Sequence, residues 1–354
     1  LGEKQVQKKI RVLVVDDSGY VITAVTNRLN SDPDIEVIDS ARNGIEAVEK
    51  VKSLKPDVVT MDVIMPEMDG IAALKVIMEE CPTPVVMLSA LTSENAETTL
   101  KALDIGAVDF FLKPSAINPV ADDNTLAAKI KTAARSKLVK NGRHKADTDS
   151  KKKRTSQEKA STFKKLVIIG ASTGGPRSLM QIVPAIPEDI PAAFLIVQHL
   201  PPVFTRSLAE RLDQVSQIAV VEAEDGSMAR KGRILVAPGD YHMLIETGGR
   251  IRLDQGPHVL GVRPAVDVTM KSAVAKFGAA VVGVILTGMG IDGTQGASYI
   301  KAAGGKVIAQ DEATSAVYGM PMSVAKAGFT DQILPLEKIA DGIIDACVAR
   351  EKVA

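Results

Sequence analysis

Lys165-Leu166-Val167-Ile168-Ile169-Gly170-Ala171-Ser172-Thr173-Gly174-Gly175-Pro176 is an apolar run that ends in a turn of small residues with one serine at its tip. Leu166 to Ile169 reads as a short buried strand, and Pro176 suits the first turn of a helix that follows. Between them Gly170, Gly174 and Gly175 permit positive φ and close backbone approach, which stands the Ser172 hydroxyl above a strand end with backbone N–H groups beside it. A strand running through such a turn into a helix is the repeating step of an α/β fold. The spacing Gly170-Ala171-Ser172-Thr173-Gly174 fits G-x-S-x-G, a nucleophile pattern short enough to occur in structural and phosphate-binding turns as well.

Outward from this turn, the 354 residues with 45% hydrophobic content suffice for two ordinary cores, divided by a charged, core-poor stretch. Lys and Arg number 43 and Asp and Glu number 43, so net charge gives no argument for a nucleic-acid partner. Cys81 and Cys347 lie far apart without metal-ligand spacing, which favours free thiols in a reducing compartment. No apolar run approaches the roughly 20 residues of a membrane span, and the polar first residues are unlike a signal peptide. The expectation is a cytoplasmic protein without membrane insertion.

Towards the N-terminus the same rhythm repeats. Strands read at Ile10 to Val15, Ile35 to Ser40, Asp57 to Met61, Pro84 to Ser89 and Val108 to Leu112, with helical segments between them such as Ser18 to Leu29 and Gly44 to Leu54. Five such units make a doubly wound parallel sheet, in which ligands sit beyond the carboxyl ends of the strands. There the sequence places Asp16, Asp17, Asp62, Ser89 and Lys113. Three crowded carboxylates repel one another, and a hard divalent cation such as Mg²⁺ relieves that repulsion. Lys113 and Ser89 are then placed to hold a phosphoryl group carried by Asp62. A flavin-binding domain of similar shape is disfavoured, because the acids would repel a flavin phosphate.

Residues 113–165 hold one plausible helix, Asn124 to Val139, and then a tract that includes Lys151-Lys152-Lys153-Arg154 and reads as a solvated basic linker. Beyond the serine turn, strands read at Ala193 to Gln198, Ile218 to Val221, Ile234 to Ala237, Tyr241 to Ile245 and Ala280 to Leu286, with a helix from Ala265 to Phe277; a mixed or largely parallel sheet is expected. Two of these strands end in chemistry, at Gln198-His199 and at Thr287-Gly288-Met289-Gly290-Ile291-Asp292-Gly293. A serine nucleophile needs a base, the base needs a carboxylate, and the oxyanion needs fixed N–H donors. Ser172, His199, Asp292 and the glycine-opened loops supply these, with the Met289 backbone a candidate donor. His144, His242 and His258 compete with His199; His144 falls in the linker, and the other two flank an expected hairpin at Gly248-Gly249, farther from the serine edge. Asp292 also reads as an N-cap for the helix that follows it.

These motifs carry two resemblances. Val14-Val15-Asp16-Asp17-Ser18, Met61-Asp62-Val63-Ile64-Met65-Pro66, Leu88-Ser89-Ala90 and Phe110-Phe111-Leu112-Lys113-Pro114 resemble the response-regulator receiver domain. That resemblance implies phosphorylation of Asp62 by a histidine kinase, Mg²⁺ held by Asp17, Asp62 and the Ile64 carbonyl with Asp16 acting through water, Lys113 pairing with the phosphoryl group, and Ser89 and Phe110 as the switch pair. The second half resembles the catalytic domain of the chemotaxis protein-glutamate methylesterases. It implies hydrolysis of glutamyl methyl esters on the cytoplasmic domains of chemoreceptors with release of methanol, and deamidation of receptor glutamines. It also implies a Ser172, His199, Asp292 triad with Thr173 and Met289 N–H groups at the oxyanion, and no cofactor for the ester chemistry. Ile291 stands where the family pattern carries Asn. The expected layout is a receiver domain at 10–138, a linker at 139–164 and a catalytic domain at 165–350, with the unphosphorylated receiver expected to restrain the esterase.

Other classes fit less well. A dinucleotide-binding turn requires G-x-G-x-x-G, but Gly170-Ala171-Ser172-Thr173-Gly174-Gly175 lacks the second glycine and the next strand ends without a ribose-binding acid. A DNA-binding output domain requires a basic recognition helix, whereas the polar residues of this half cluster at strand ends.

Overall fold

The computed structural model describes residues 8–113, 123–136 and 163–348. The expected linker, with Lys151 to Arg154 and His144, lies outside the described residues. The chain divides into two compact units between Leu138 and Val139.

In the first unit strands β1 (Ile10–Val15), β2 (Ile35–Ala41), β3 (Val58–Asp62), β4 (Val85–Ser89) and β5 (Asp109–Leu112) alternate with helices α1 (Gly19–Asn30), α2 (Gly44–Leu54), α3 (Gly70–Glu80), α4 (Ser93–Ile105) and α5 (Asp123–Arg135). The sheet order is β2-β1-β3-β4-β5 and every pairing is parallel. Helices cover both faces, which is why β3 and β4 are buried along their whole length and read as unbroken apolar runs. Helices α1 to α4 each start on a short polar side chain, Ser18, Asn43, Asp69 and Thr92, that accepts a hydrogen bond from the first turn. The strand order reverses between β1 and β3, so the end of each faces the crevice where α/β sheets take ligands. The expected helix from Asn124 is α5, ending at Arg135.

The second unit contains β6 (Lys165–Ala171), α6 (Gly175–Ile182), β7 (Ala192–Gln198), α7 (Phe204–Val215), β8 (Ala219–Glu222), β9 (Arg233–Val236), β10 (His242–Ile245) and β11 (Ile251–Asp254). It continues through α8 (Val266–Phe277), β12 (Val281–Ile285), α9 (Thr294–Ala302), β13 (Lys306–Gln310), α10 (Met320–Lys326), β14 (Gln332–Leu334) and α11 (Leu336–Val348). Its main sheet runs β14-β13-β12-β6-β7-β9-β8 with every pairing parallel. The stretch expected as a strand at Tyr241 leaves this sheet and pairs with β11 as an antiparallel hairpin, so the main sheet is wholly parallel. β6 and β7 are central and almost entirely buried, with Phe194 fully enclosed; burying a side chain of that size contributes about 3 kcal/mol. The order reverses between β6 and β12, placing the serine turn and the loop after β12 at the switch point.

Helix starts differ between the two units. Gly174, Val203, Ala265, Gly293 and Gly319 precede α6, α7, α8, α9 and α10 without a side-chain cap of their own. Three of these helices draw first-turn partners from elsewhere in the fold: Asp292 for α8, Asp267 for α9 and the Gly288 carbonyl for α10.

Candidate active site and phosphoacceptor site

Parallel pairing sets Ala171 against Gln198, and the His199 N–H donates to the Ala171 carbonyl at 3.1 Å, so Ser172 and His199 leave neighbouring strand ends side by side. The Ser172 N–H donates to the Thr287 carbonyl at 3.1 Å, which ties the serine to the loop after β12. Gly288 has no side chain for a reason: a Cβ there would stand 2.7 Å from the Ser172 Cβ and 2.5 Å from the Met320 sulfur.

His199 Nε2 lies 2.8 Å from Asp292 Oδ2. A carboxylate only accepts, so Nε2 carries the proton and Nδ1 remains as the basic nitrogen. The Val266 N–H also donates to Asp292 Oδ2 at 2.7 Å, while the Asp267 and Gly293 N–H groups donate to Oδ1 at 2.9 Å. Burial alone raises the Asp292 carboxyl, but the His199 ring and these backbone donors outweigh it and hold the group below the ordinary carboxylate range. The capping role expected for Asp292 is corrected here: the helix it caps is α8, from the preceding part of the chain, while α9 starts on Gly293.

Thr173 is buried, whereas Met289 and Ile291 are exposed on the loop after β12. His242 lies closer to this centre than its place in a hairpin suggested, because its Nδ1 accepts the Ala265 N–H at 3.2 Å, next to Val266. Its Nε2 then donates to the Pro257 carbonyl at 3.0 Å, which leaves neither ring nitrogen for catalysis.

Several residues of this region were given no role by the sequence. Asp267 is buried and its Oδ1 accepts the Gly296 N–H at 2.6 Å; burial, followed by the charge of Asp292, pushes its carboxyl up to about 6. The only local signal was an acid in a helix first turn. Thr287 and Gln310 form a buried support: Gln310 Oε1 accepts the Thr287 N–H at 2.8 Å, and the Thr287 hydroxyl bonds the Thr173 carbonyl at 2.9 Å. Gln198 Nε2 donates to the Ser172 carbonyl at 2.9 Å.

In the first unit, Asp16, Asp17 and Asp62 each offer an oxygen within 4.8 Å of the others, with Asp16 and Asp62 buried and Asp17 exposed. Lys113 Nζ bridges Asp16 Oδ2 and Asp62 Oδ2, both at 2.8 Å. Burial raises the Asp62 carboxyl, with Asp16 adding to the rise and Lys113 opposing it. Lys113 is itself held above its ordinary value: burial opposes that rise, but hydrogen bonds to both aspartates prevail. Ile64 is exposed beside the cluster. The Ser89 hydroxyl accepts a 2.8 Å hydrogen bond from Thr99 of α4, and Phe110 is buried with Lys129 Nζ 5.8 Å from its ring centre.

The two units thus define a class, an α/β chain with a receiver-like acid cluster joined to a candidate serine hydrolase. The family patterns "CheB methylesterase" and "Response regulator receiver domain" match residues 167–343 and 12–123. The chain is 49% identical to the protein-glutamate methylesterase/protein-glutamine glutaminase of Symbiobacterium thermophilum, over 97% of this chain and 98% of that protein. It is 48% identical to the protein of the same name from Pyrococcus abyssi, over 96% and 94%. The crystal structure of the Thermotoga maritima CheB methylesterase catalytic domain superposes with a TM-score of 0.50 at 47% identity, covering 51% of this chain and 97% of that one. The chain belongs to the CheB methylesterase family and carries the response regulator receiver domain as well.

Proposed function

We propose that the chain hydrolyses methyl esters of glutamate side chains on the cytoplasmic domains of chemoreceptors and deamidates their glutamines, under the control of phosphorylation at Asp62. The observation that carries the esterase reading is the 2.8 Å contact of His199 Nε2 with Asp292 Oδ2 at the strand end beside Ser172. Ser172 Oγ attacks the ester carbonyl while His199 Nδ1 takes its proton, and the oxyanion forms against the Thr173 and Met289 N–H groups. The proton passes from His199 to the departing methoxide, releasing methanol, and water then cleaves the acyl-serine by the same relay. With a glutamine side chain the leaving group is ammonia.

The acid cluster fits a hard divalent cation, since its three carboxylates face a single neutralising ammonium, Lys113, among the described residues. Mg²⁺ held by Asp17, Asp62 and the Ile64 carbonyl, with Asp16 acting through water, would offset negative charge when a histidine kinase transfers its phosphoryl group. Asp62 accepts that group, Lys113 pairs with it, and Ser89 and Phe110 respond. The working layout remains a receiver at 10–138 and a catalytic domain at 165–350. No helix among the described residues is long and apolar enough to cross a membrane, and the protein is assigned to the cytoplasm, where receptor tails and kinase are available. Methanol release from methylated receptor, measured for the wild type and Ser172→Ala, tests the reading; near-normal turnover by Ser172→Ala would exclude it.

A further inference from the structure

Gln198 is buried at the end of β7, next to His199, and the catalytic reading above gives it no part. Its Nε2 donates to the Ser172 carbonyl at 2.9 Å and lies 3.5 Å from the His199 carbonyl. Both neighbours are acceptors, so the amide nitrogen must take this side. Its Oε1 is consequently turned towards Gly175, where it is buried with no hydrogen-bond partner among the described residues. Gly175 is shaped to receive it: a Cβ at that position would stand 2.0 Å from Oε1. An amide that leaves its own oxygen unsatisfied is a poor stabiliser, since an apolar side chain of the same shape would bury no orphaned acceptor. What the nitrogen does to the Ser172 carbonyl is therefore the informative part.

That carbonyl and the Thr173 N–H belong to one peptide, planar and trans, so they point in opposite directions. Gln198 Nε2 and the Gly175 N–H, at 2.9 and 2.8 Å, hold the carbonyl on the interior side. The Thr173 N–H is thereby aimed outward at the serine edge. The peptide joining Gly288 to Met289 is fixed in the same manner, its carbonyl accepting the N–H groups of Gly319 and Met320 at 3.1 and 2.9 Å. Of the two carbonyls, that of Ser172 is the one held by a side chain among the described residues, and that side chain is Gln198.

We propose that Gln198 is a positioning residue that orients the Thr173 N–H as an oxyanion donor by holding the Ser172 carbonyl from behind; this rests on the Ser172 nucleophile reading. A donor held in advance at the developing charge lowers the barrier without strengthening ester binding. Gln198→Met keeps volume and removes the donor, while the Ser172 carbonyl keeps the Gly175 N–H. In the full chain, kcat for methanol release is expected to fall about 10- to 100-fold with KM within about twofold. Affinity for a phenylboronic acid, which becomes tetrahedral on the serine, should fall in step, and the thermal midpoint should hold or rise.

Gln198→Glu serves as the second variant, because its carboxylate opposes two carbonyls until it is protonated. Its rate relative to wild type should recover as pH is lowered, a behaviour that a packing role would not produce. A Gln198→Met enzyme with kcat within about threefold of wild type would overturn the proposal, as would a slowed enzyme with unchanged boronate affinity. Ser172→Ala run alongside separates the cases: turnover by that variant would strike the nucleophile reading itself, whereas an inert Ser172→Ala beside a fully active Gln198→Met strikes only the role given to Gln198.

Discussion

Asp267 and Asp292 cap each other's helices. Asp292, in the loop before α9, accepts the Val266 and Asp267 N–H groups that open α8, and Asp267, in the first turn of α8, accepts the Gly296 N–H in the first turn of α9. Each helix therefore begins on a carboxylate belonging to the other, and each carboxylate gains the positive end of a helix. The exchange locks the two helix starts together, and it holds Asp292 Oδ2 where His199 reaches it. Two acids this close are electrostatically asymmetric: Asp292 is lowered by its His199 and backbone partners, whereas burial and the neighbouring charge push Asp267 up to about 6.

The raised Asp267 makes a prediction about pH and stability. A carboxyl whose folded pKa exceeds its unfolded value of about 3.9 stabilises the fold while protonated, and that contribution disappears as pH rises through the folded value. Between pH 4 and 6.5 the catalytic domain should thus lose up to about 2 kcal/mol from this group. Asp267→Asn, which can still accept the Gly296 N–H, should flatten the pH dependence in that window. Denaturant titrations of the two proteins at a series of pH values check this; parallel curves would show that Asp267 titrates normally.

Asp292→Asn is expected to behave quite differently. Its side chain would have to present an NH₂ group to a site lined by four donors, His199 Nε2 and the N–H groups of Val266, Asp267 and Gly293. Misdirection of the His199 tautomer should lower kcat by about 10⁴-fold, and the frustrated donors should lower stability by about 1 to 3 kcal/mol. Kinetics and thermal unfolding measured on the same preparation test both halves; loss of rate without loss of stability would mean that the helix caps do not depend on the charge.

These features mark how far the sequence could be read. Asp16, Asp62, Ser172 and His199 were legible because each is a polar residue at the end of an apolar strand, and a parallel sheet gathers such ends along one edge. The doubly wound parallel sheet of the first unit follows from the same rhythm, whereas the strand orders and the central place of β6 come only from the structure. Asp292 was visible as a loop acid, but its partner helix begins 26 residues earlier, and no local pattern carries that pairing. Asp267 resembled any acid in a helix first turn, and Gln198 resembled a strand residue, since their roles arise only when α9 and the serine turn pack against them. The hairpin expected around Gly248-Gly249 is that of β10 and β11, but its separation from the main sheet was hidden, because four residues of apolar periodicity do not state whether a hairpin joins the neighbouring sheet.

Gly288→Ala tests the seat of Ser172, the proposed nucleophile. The new methyl group would meet the Ser172 Cβ at 2.7 Å and the Ser172 N at 3.0 Å, and although the Met320 side chain can yield, the serine backbone cannot. Displacement of Ser172 by about 1 Å is expected to cost about 10²-fold in kcat, with a stability loss of about 1 to 3 kcal/mol from overpacking. Steady-state kinetics beside a circular dichroism melt measure the two effects. A variant with unaltered kcat would show that Ser172 does not need this close approach.

At the proposed phosphoacceptor, Asp62→Ala and Gly70→Ala should fail for separable reasons. The first removes the carboxylate that lies 2.8 Å from Lys113, and transfer of labelled phosphate from a histidine kinase should vanish while the receiver remains folded. The second leaves the carboxylate in place, but a Cβ on Gly70 would stand 1.8 Å from the Asp62 backbone carbonyl. That contact is backbone on both sides, so relief requires α3 or the end of β3 to move, at a cost of about 1 to 3 kcal/mol. The Gly70→Ala protein should therefore accept label more slowly than wild type but still accept it, as a base-labile acyl phosphate, and it should melt earlier than Asp62→Ala. Label persisting on Asp62→Ala would move the phosphoacceptor elsewhere. A Gly70→Ala protein labelled at the wild-type rate would show that the junction of β3 and α3 yields without disturbing Asp62.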